Sequence, residues 1–560
     1  MQEREQFYWL NGNSRLFLSR GYLLDGQTPE QRLRQIADKA EEILDMPGFS
    51  DKFYNYLGKG YYSLSTPVWT NFGLDKGLPI SCFGSYVPDN MSGILYSVSE
   101  IGMMSKYGGG TSGYFGDVRG RGAAITNNGT SSGAVHFMKL FEQMTDTVSQ
   151  GSTRRGRYAP YLPIDHPDID EFLEIGTEGN EIQDLNHGVT ISDDWLLDMI
   201  GGNKDKRKTW AKVLQRRVEM GYPYIFFTDN VNNNKPEWYK DKPITHSNLC
   251  SEIALPDNED WSFVCNLSSM NVLHFDEWKN TDAVETMIYF LDAVMTDFIE
   301  SLERLRDSNT KELTESFHFM ERAYNFAVEN RALGLGVLGL HSLYQSKMIP
   351  FESVEASLLN EEIHKFIREK SEKASKELAE VFGEPKVLEG TGRRNATLMA
   401  IAPTTSSAFI LGQVSQSIEP ISSNNYVKDV AKAKVTIHNP YLKEVLQKYD
   451  KDTRETWADI RNHDGSVQHL DYLTDKEKEV FKTFSELNQY EIINQASVRQ
   501  KYIDQGQSLN IMVNPKTSAK ELNELHLYAW ENGIKTLYYQ HSTNAAQQFY
   551  QSSVCLACEA

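Results

Sequence analysis

Residues 245–256 read THSNLCSEIALP, a segment in which an amide, a thiol and a carboxyl group alternate with other side chains. If residues 248–255 are extended, Asn248, Cys250 and Glu252 project from the same face. A helix would spread these three side chains around its circumference. The segment therefore predicts either a reactive set on one face of a strand or a strand that simply buries its cysteine, since cysteine is often buried.

The whole chain has an ordinary globular composition. It has 560 residues, of which 40% are hydrophobic and 24% are charged, enough for a large core. The net charge of −20 and the pI of about 5.2 argue against nucleic acid as a partner. The amino-terminal sequence lacks a signal-peptide pattern, and no run approaches about 18 apolar residues. We therefore expect a cytoplasmic protein without a membrane span.

Strand-like and helix-like segments alternate along the chain. Helical spacing marks residues 28–45, 134–151 and 283–307, the second of which is predicted to end at its terminal glycine. YPYIFFTD at 222–229 and NATLMAIAP at 395–403 read as strands. This alternation predicts an α/β fold with mostly parallel pairing.

Five cysteines are too few for a disulfide scaffold. In a reducing cytosol they are catalytic, metal-binding or inert core residues. Cys82 and Cys265 each lie in a strand-like run, whereas Cys555 and Cys558 form a CxxC pair beside the carboxyl terminus. That pair is compatible with a zinc clip, a structural disulfide or a redox relay. A structural zinc needs four ligands and no second CxxC exists, so we predict no metal site.

Several motifs together resemble the large catalytic subunit of ribonucleotide reductase. In family order they are LSTPVWTNFG, SCFGSYVPDNMSGI, SNLCSEIALP, VCNLSSMN, NATLMAIAPTTSS, IEP and TLYYQ, and the resemblance covers roughly residues 60–560. It implies a ten-stranded α/β barrel of two parallel five-stranded halves over residues 61–540. A small helical region over 1–60 would precede this catalytic domain, and a flexible redox tail over 541–560 would follow it.

The resemblance assigns roles to the central residues. Cys250 would carry a thiyl radical that abstracts the 3′-hydrogen of a ribonucleotide. Glu252 would accept the 3′-hydroxyl proton, and Asn248 would hydrogen-bond the substrate hydroxyls. Cys82 and Cys265 would protonate the leaving 2′-hydroxyl and finish as a disulfide, which requires Cα atoms about 4.4–6.8 Å apart.

The resemblance also gives the terminal CxxC pair a use. Cys555 and Cys558 would reduce the buried disulfide by thiol–disulfide exchange and then be reduced by thioredoxin or glutaredoxin. Sixteen residues separate Tyr539 from Cys555. That length spans about 53–58 Å when extended and roughly 20–24 Å as a coil. Either length would let the CxxC pair reach the active-site pocket, in the same chain or in a partner subunit.

Two further regions resemble nucleotide sites of the family. A row of hydroxyls before a possible helix start suits a phosphate, although it also suits an ordinary cap. The residues implied for the substrate diphosphate are Thr66, Ser81, Thr404, Thr405, Ser406 and Ser407. The region 89–156 resembles the specificity site for a deoxynucleoside triphosphate or ATP effector. In this site Asp89 would bind the sugar and Arg119 the phosphates, and Ile125 would complete the group. Gln150 and Arg154 lie in the loop that would relay the identity of the effector. Alternatively, this loop is only a solvated basic segment.

The pair Tyr538–Tyr539 matches the family's radical-transfer tyrosines, which places the chain in class I. The radical would then come from a separate, metal-containing small subunit, and no cofactor would bind this chain directly. A stacked pair predicts a local departure from strand geometry, because neighbours in a strand point to opposite faces. The alternatives are a cobalamin-dependent class II reductase and a non-catalytic nucleotide-binding regulatory subunit.

Only about 60 residues precede SLSTP, too few for the ATP-cone domain that many relatives carry there. We therefore expect no overall-activity switch of that kind. We also expect a homodimer, with ribonucleoside diphosphate as the substrate and deoxyribonucleotides for DNA replication as the product.

Overall fold

The computed structural model describes residues 5–150, 155–430 and 433–542. The strands are β1 (Tyr62–Leu64), β2 (Cys82–Tyr86), β3 (Gly110–Tyr114), β4 (Arg157–Pro163), β5 (Gly188–Ile191), β6 (Tyr224–Phe227), β7 (Phe263–Asn271), β8 (Leu333–Leu338), β9 (Asn425–Val430), β10 (Ala433–His438), β11 (Ile511–Val513), β12 (Thr536–Leu537) and β13 (Gln540–Ser542).

The α-helices are α1 (Gly12–Leu18), α2 (Pro29–Leu44), α3 (Phe49–Gly58), α4 (Thr66–Asn71), α5 (Met91–Lys106), α6 (Ala134–Thr147), α7 (Ile169–Phe172), α8 (Asp193–Ile200), α9 (Lys204–Met220), α10 (Thr228–Asn232), α11 (Phe275–Trp278), α12 (Ala283–Arg306), α13 (Lys311–His318), α14 (Glu321–Asn330), α15 (Leu340–Ser346), α16 (Val354–Phe382), α17 (Thr405–Ile410), α18 (Pro440–Lys448), α19 (Arg454–Asn462), α20 (Asp475–Val480), α21 (Gln489–Gln500) and α22 (Ala519–Glu531). Short 3₁₀ helices cover Glu237–Tyr239, Val272–His274, Lys386–Leu388 and Phe484–Glu486.

One half of a barrel is a regular parallel sheet. Strands β2, β3, β4, β5 and β6 lie side by side in chain order, and every neighbouring pair is parallel. At least one helix connects each strand to the next, as parallel pairing requires. These strands are almost wholly buried, because helices cover the outer face of the sheet. The five-stranded parallel half predicted for this fold is therefore present.

The second half is less regular. β7 and β8 are parallel, and isolated parallel bridges join Leu335 to Met399 and Ile401 to Gln507. The next neighbour is the segment that contains β12 and β13, since Tyr538 donates its N–H to Leu509 O and β11 pairs in parallel with β13. The predicted strand at 395–403 therefore has only bridges at Met399 and Ile401. The Asp504 carboxylate accepts the N–H groups of Leu398 and Met399, both at 2.9 Å, in place of strand partners.

Two antiparallel seams close the ring. β2 pairs with β7 on one side, and β6 pairs with β12 on the other. Ten extended segments thus enclose the interior, five in each half, and the two halves run in opposite directions. This arrangement confirms the ten-stranded α/β barrel. β1 lies beside β7 as an additional antiparallel strand.

The helix predictions hold well at amino-terminal ends and less well at carboxyl-terminal ends. α2 begins with the capping box formed by Thr28 and Gln31. α6 ends at Thr147, whereas the sequence predicted an end at Gly151. The chain leaves the helix because Val148 has an extended backbone. Gln150 is buried, and its Nε2 donates to Asn71 Oδ1 at 3.1 Å.

The segment 425–481 forms a smaller unit with its own apolar core. β9 and β10 make an antiparallel hairpin, and α18, α19 and α20 pack around Leu446, Trp457 and Leu470. Across the described ranges, none of the helices combines the length and apolar character needed to cross a membrane.

A buried charge cluster ties the long helix α12 to the barrel. The Asp292 carboxylate accepts hydrogen bonds from Arg331 Nε and Asn395 Nδ2, both at 3.0 Å, and from Arg394 Nε at 3.3 Å. Burial disfavours ionisation of Asp292, but the two guanidinium groups outweigh burial and hold its pKa below the ordinary value. The charge of Asp292 therefore compensates one buried and one partly buried cation, Arg331 and Arg394.

We predict that Asp292→Asn lowers the free energy of unfolding by about 3 kcal/mol or more, because it leaves Arg331 without its buried counter-charge. Urea unfolding followed by circular dichroism measures the change. Asp307→Asn is the matched control, since Asp307 pairs with Arg306 on the exposed end of the same helix. Equal stabilities of the two variants would contradict this role.

Candidate active site

The barrel contains a cavity of about 230 Å³ that gathers most of the predicted site residues. Cys82, Cys250 and Glu252 line it together with Tyr538 and Tyr539. The hydroxyl residues expected around a diphosphate line the same cavity: Thr66, Ser81, Thr404, Thr405, Ser406 and Ser407. Two further predicted residues, Asn248 and Cys265, do not line this cavity but contact residues that do.

The segment around Cys250 is a turn and not the extended strand considered from the sequence. Ser251 has a φ of 58°, and its N–H donates to Asn248 O at 3.3 Å. The Asn248 side chain holds the turn, because its Oδ1 accepts the N–H groups of Glu252 at 3.1 Å and Ile253 at 3.2 Å. The side chains of Cys250 and Glu252 are therefore brought together by the turn that Asn248 holds, and not by the alternation of a strand.

Glu252 is buried in a polar niche. Asn248 Nδ2 donates to its Oε1 at 3.0 Å, and Ser508 Oγ donates to its Oε2 at 3.1 Å. The Ser508 hydroxyl also lies within hydrogen-bond distance of Cys250 O. Burial raises the pKa of Glu252 to about 7, although these hydrogen bonds act in the opposite direction. A carboxyl group with this pKa exchanges a proton readily at neutral pH.

The two strand cysteines lie opposite each other at the seam between the barrel halves. Cys82 of β2 and Cys265 of β7 are register partners in the antiparallel pair. Directly opposed residues in such pairs have Cα atoms about 4.5–5.5 Å apart, within the range that a disulfide requires. Both carry reduced thiols here, and burial raises the pKa of the Cys265 thiol well above its ordinary value.

The tyrosine pair lies between two short strands. β12 ends at Leu537 and β13 begins at Gln540, so the pair departs from strand geometry as expected. The rings of Tyr538 and Tyr539 have centroids 4.1 Å apart. Tyr222 Oη also donates to Tyr539 Oη at 3.1 Å. A compact aromatic group thus reaches from the barrel wall into the cavity that contains Cys250.

The hydroxyl row at 404–407 begins a helix, as predicted. α17 starts at Thr405, and Thr404 Oγ1 accepts the N–H of Ser417 at 2.7 Å. Thr405 Oγ1 donates to Gln416 Oε1 at 3.0 Å. Thr66, which begins α4, lines the same cavity. Polar groups therefore surround one end of the cavity without a large positive charge.

The predicted effector residues divide into two places. Asp89 accepts hydrogen bonds from Arg119 Nε at 2.9 Å and from its backbone N–H at 3.1 Å. Arg119 also donates to Ala124 O, beside Ile125, so these residues form one partly exposed group. Gln150 lies apart from them and contacts Asn71. Arg154 lies outside the described residues, as do Cys555 and Cys558.

Sequence reasoning missed Ser508 and Gln505. Ser508 contacts Glu252, and Gln505 Nε2 donates to Cys265 Sγ at 3.2 Å. Both residues belong to DQGQSLNI, residues 504–511, which has no spacing that signals a site. The one hint in this segment is the glycine at position 506. In the fold, a Cβ added there would lie 3.1 Å from Glu252 O, so the segment passes close to the site. Only the folded barrel shows which side chains this segment meets.

Within the described part of the chain, one group has the composition of a metal site. Asp459, His463 and His469 place a ligand atom each within 4.8 Å of one another. None of the three lines the barrel cavity. This group therefore lies apart from the thiols, the carboxyl group and the tyrosines of the predicted active site.

Comparison with known proteins agrees with this geometry. The family model for the ribonucleotide reductase barrel domain matches residues 80–199, 197–391 and 386–540. The solved alpha subunit of the Actinobacillus ureae class Id ribonucleotide reductase is 53% identical and has a TM-score of 0.90, covering 97% of this chain and 99% of that one. The ribonucleoside-diphosphate reductase large subunit of Invertebrate iridescent virus 3 is 32% identical, with 92% and 91% coverage. The ribonucleoside-diphosphate reductase subunit alpha of Chlamydia trachomatis is 30% identical over 90% of this chain and 55% of that protein.

A ten-stranded barrel with opposed cysteines at its seam and a third cysteine on an inner turn defines an oxidoreductase of one family: the chain belongs to the ribonucleotide reductases. More particularly, it is the large, catalytic subunit of a class I enzyme. This confirms the class I expectation over a cobalamin-dependent chain and over a non-catalytic regulatory subunit.

The raised pKa of Glu252 predicts how stability depends on pH. The folded protein holds this proton up to about pH 7, whereas the unfolded chain releases it near 4.5. The stabilisation is present in full below pH 4.5 and is lost as pH rises through 7. Relative to Glu252→Gln, the wild type should lose about 3 kcal/mol of unfolding free energy between pH 4 and pH 8.

Urea unfolding of both proteins across that pH range measures this difference. Glu389→Gln is the control, because Glu389 is exposed. A parallel pH dependence of the wild type and Glu252→Gln would show that folding does not raise the pKa of Glu252.

Proposed function

We propose that this chain reduces ribonucleoside diphosphates to 2′-deoxyribonucleotides by thiyl-radical chemistry at Cys250. The observation that carries the proposal is a single cavity lined by Cys250, Glu252, one thiol of an opposed cysteine pair and the tyrosine pair. The names of the similar large subunits support a diphosphate substrate.

In the first half of the reaction, the Cys250 thiyl radical removes the 3′-hydrogen of the ribose and becomes a thiol. Glu252 accepts the proton of the 3′-hydroxyl group. Its pKa of about 7 suits this role, because a general base works best with a pKa near the working pH. Asn248 supports Glu252 through the hydrogen bond from its Nδ2.

In the second half, Cys82 and Cys265 provide two protons and two electrons. The 2′-hydroxyl takes one proton and leaves as water, and C2′ gains the other proton and the two electrons as the two sulfur atoms form a disulfide. Glu252 returns its proton to the 3′-oxygen, and Cys250 returns its hydrogen to C3′ to regenerate the thiyl radical. The register of β2 and β7 supports this step, because the disulfide forms without movement of the strands.

The radical on Cys250 comes from a separate small subunit that contains the metal site. Tyr538 and Tyr539 pass the oxidation between that subunit and Cys250. Their ring separation and their position on the cavity wall support a short transfer path. No cofactor binds the large subunit itself in this proposal.

Phosphate and effector binding complete the proposal. Thr66, Ser81 and the hydroxyl row at 404–407 hold the substrate diphosphate. The group around Asp89 and Arg119 binds a deoxynucleoside triphosphate or ATP. The chain acts as a homodimer, which the exposed apolar residues on the neighbouring helices α5 and α6 support: Met91, Leu95 and Leu140.

We predict that the chain reduces cytidine diphosphate only when a class I small subunit is added. Cys250→Ser should form no product, even in a single turnover, because serine cannot provide the thiyl radical. Quantification of deoxycytidine diphosphate by chromatography measures this. Activity with adenosylcobalamin in the absence of any small subunit would contradict the proposal.

We also predict a selective defect when Cys555 and Cys558 are both changed to serine. The variant should retain one turnover per pre-reduced chain and continuous activity with dithiothreitol, a small reductant that reaches the buried disulfide directly. It should lose continuous activity with thioredoxin or glutaredoxin. Loss of activity with dithiothreitol as well would argue against a redox tail.

A further inference from the structure

The two sulfur atoms of the opposed cysteine pair are not equivalent. Cys82 is partly exposed and lines the cavity. Cys265 is only 1% exposed, and the packing behind it is tight, because a Cβ added at Gly334 would lie 3.0 Å from Cys265 Sγ. A reductant that enters the cavity therefore meets the sulfur of Cys82.

Gln505 faces the buried sulfur. Its Nε2 donates to Cys265 Sγ at 3.2 Å. The orientation of this amide is unambiguous, because Oε1 accepts the N–H of Ala254 at 3.0 Å and only the amide oxygen can do so. Nε2 also lies 3.1 Å from Leu333 O and 3.0 Å from Thr397 Oγ1. Gln505 is completely buried, so these contacts hold its amide in place.

Thiol–disulfide exchange requires a leaving thiolate, and a lower pKa of the leaving thiol speeds the step. Burial disfavours a thiolate at Cys265, but the hydrogen bond from Gln505 acts against burial. The Asn248 amide is more distant from Cys82 Sγ, at 3.8 Å. Gln505 thus serves the sulfur that an entering reductant does not reach.

We propose that Gln505 is a catalytic residue for regeneration of the dithiol: it stabilises Cys265 as the leaving thiolate and so directs the reductant to Cys82. This inference rests on the proposed function, in which Cys82 and Cys265 become a disulfide during turnover.

The exchange proceeds in two balanced steps. A thiolate of the reductant bonds to Cys82 Sγ, the Cys82–Cys265 bond breaks, and its electron pair passes to Cys265 Sγ beside the Gln505 amide. Cys265 then takes up one proton, which balances the proton that the reductant thiol lost when it formed the thiolate. The second thiol of the reductant attacks the mixed disulfide, releases Cys82 as a thiol and leaves the reductant as a disulfide.

A mapping experiment tests the direction of attack without altering Gln505. The full chain with Cys555→Ser and Cys558→Ser is oxidised with diamide, and peptide mass spectrometry without reduction verifies the Cys82–Cys265 disulfide and a free Cys250. Glutathione is added briefly, the reaction is quenched with acid, and thiols are alkylated before peptide mass spectrometry. Glutathione should be found on Cys82, with Cys265 alkylated. Glutathione mainly on Cys265 would overturn the proposal.

A rate experiment then tests Gln505 itself. Gln505→Met keeps the length of the side chain but removes the donor, and it should slow glutathione attack on the disulfide by about tenfold or more. Gln507→Met is the matched control, because Gln507 is also buried but donates to Ala496 O and Gln500 Oε1. Its rate should stay within about twofold of the wild type. An unchanged rate in Gln505→Met, with folding verified by thermal unfolding, would also overturn the proposal.

A single-turnover assay keeps this inference separate from the function on which it rests. Pre-reduced wild-type chain with small subunit should form one deoxynucleotide per site. If no product forms, the proposed function fails. If product forms but glutathione is found on Cys265, only the role of Gln505 fails.

Discussion

The antiparallel pairing of β2 with β7 is the constraint on which the site depends. It joins the two oppositely directed halves of the barrel and sets Cys82 directly across from Cys265. Because the two residues are fixed by backbone hydrogen bonds, their sulfur atoms need no loop movement to approach bonding distance. The same seam borders the cavity, so the thiol of Cys82 faces the space that Cys250 also lines.

Burial sets the electrostatic character of this site. Glu252 and Cys265 are almost fully enclosed, and enclosure favours their neutral forms. Each is nevertheless contacted by an amide or a hydroxyl that can stabilise a negative charge when one forms. Burial thus raises the pKa of both groups, and the fixed dipoles around them stabilise the charge when they ionise.

Parts of this structure follow from the sequence and parts do not. The start of α2 follows well, because the capping side chain of Thr28 is local. Motif order implied the barrel and the cysteines. The turn at Cys250 did not follow, because the Asn248 side chain replaces strand hydrogen bonds. The position of Gln505 did not follow either, since its partners are distant in sequence and meet only when the barrel closes.

The seam between β6 and β12 joins segments roughly 300 residues apart, and only two residue pairs are in register there. Until β12 arrives, β6 is an apolar edge strand, with unpaired backbone groups along the sequence YIFF. A chain emerging from the ribosome therefore carries an incomplete barrel for most of its synthesis, and chaperones that cover exposed strand edges are suited to that interval. The tyrosine pair follows β12 directly, so the radical path is assembled in the same step that completes the barrel.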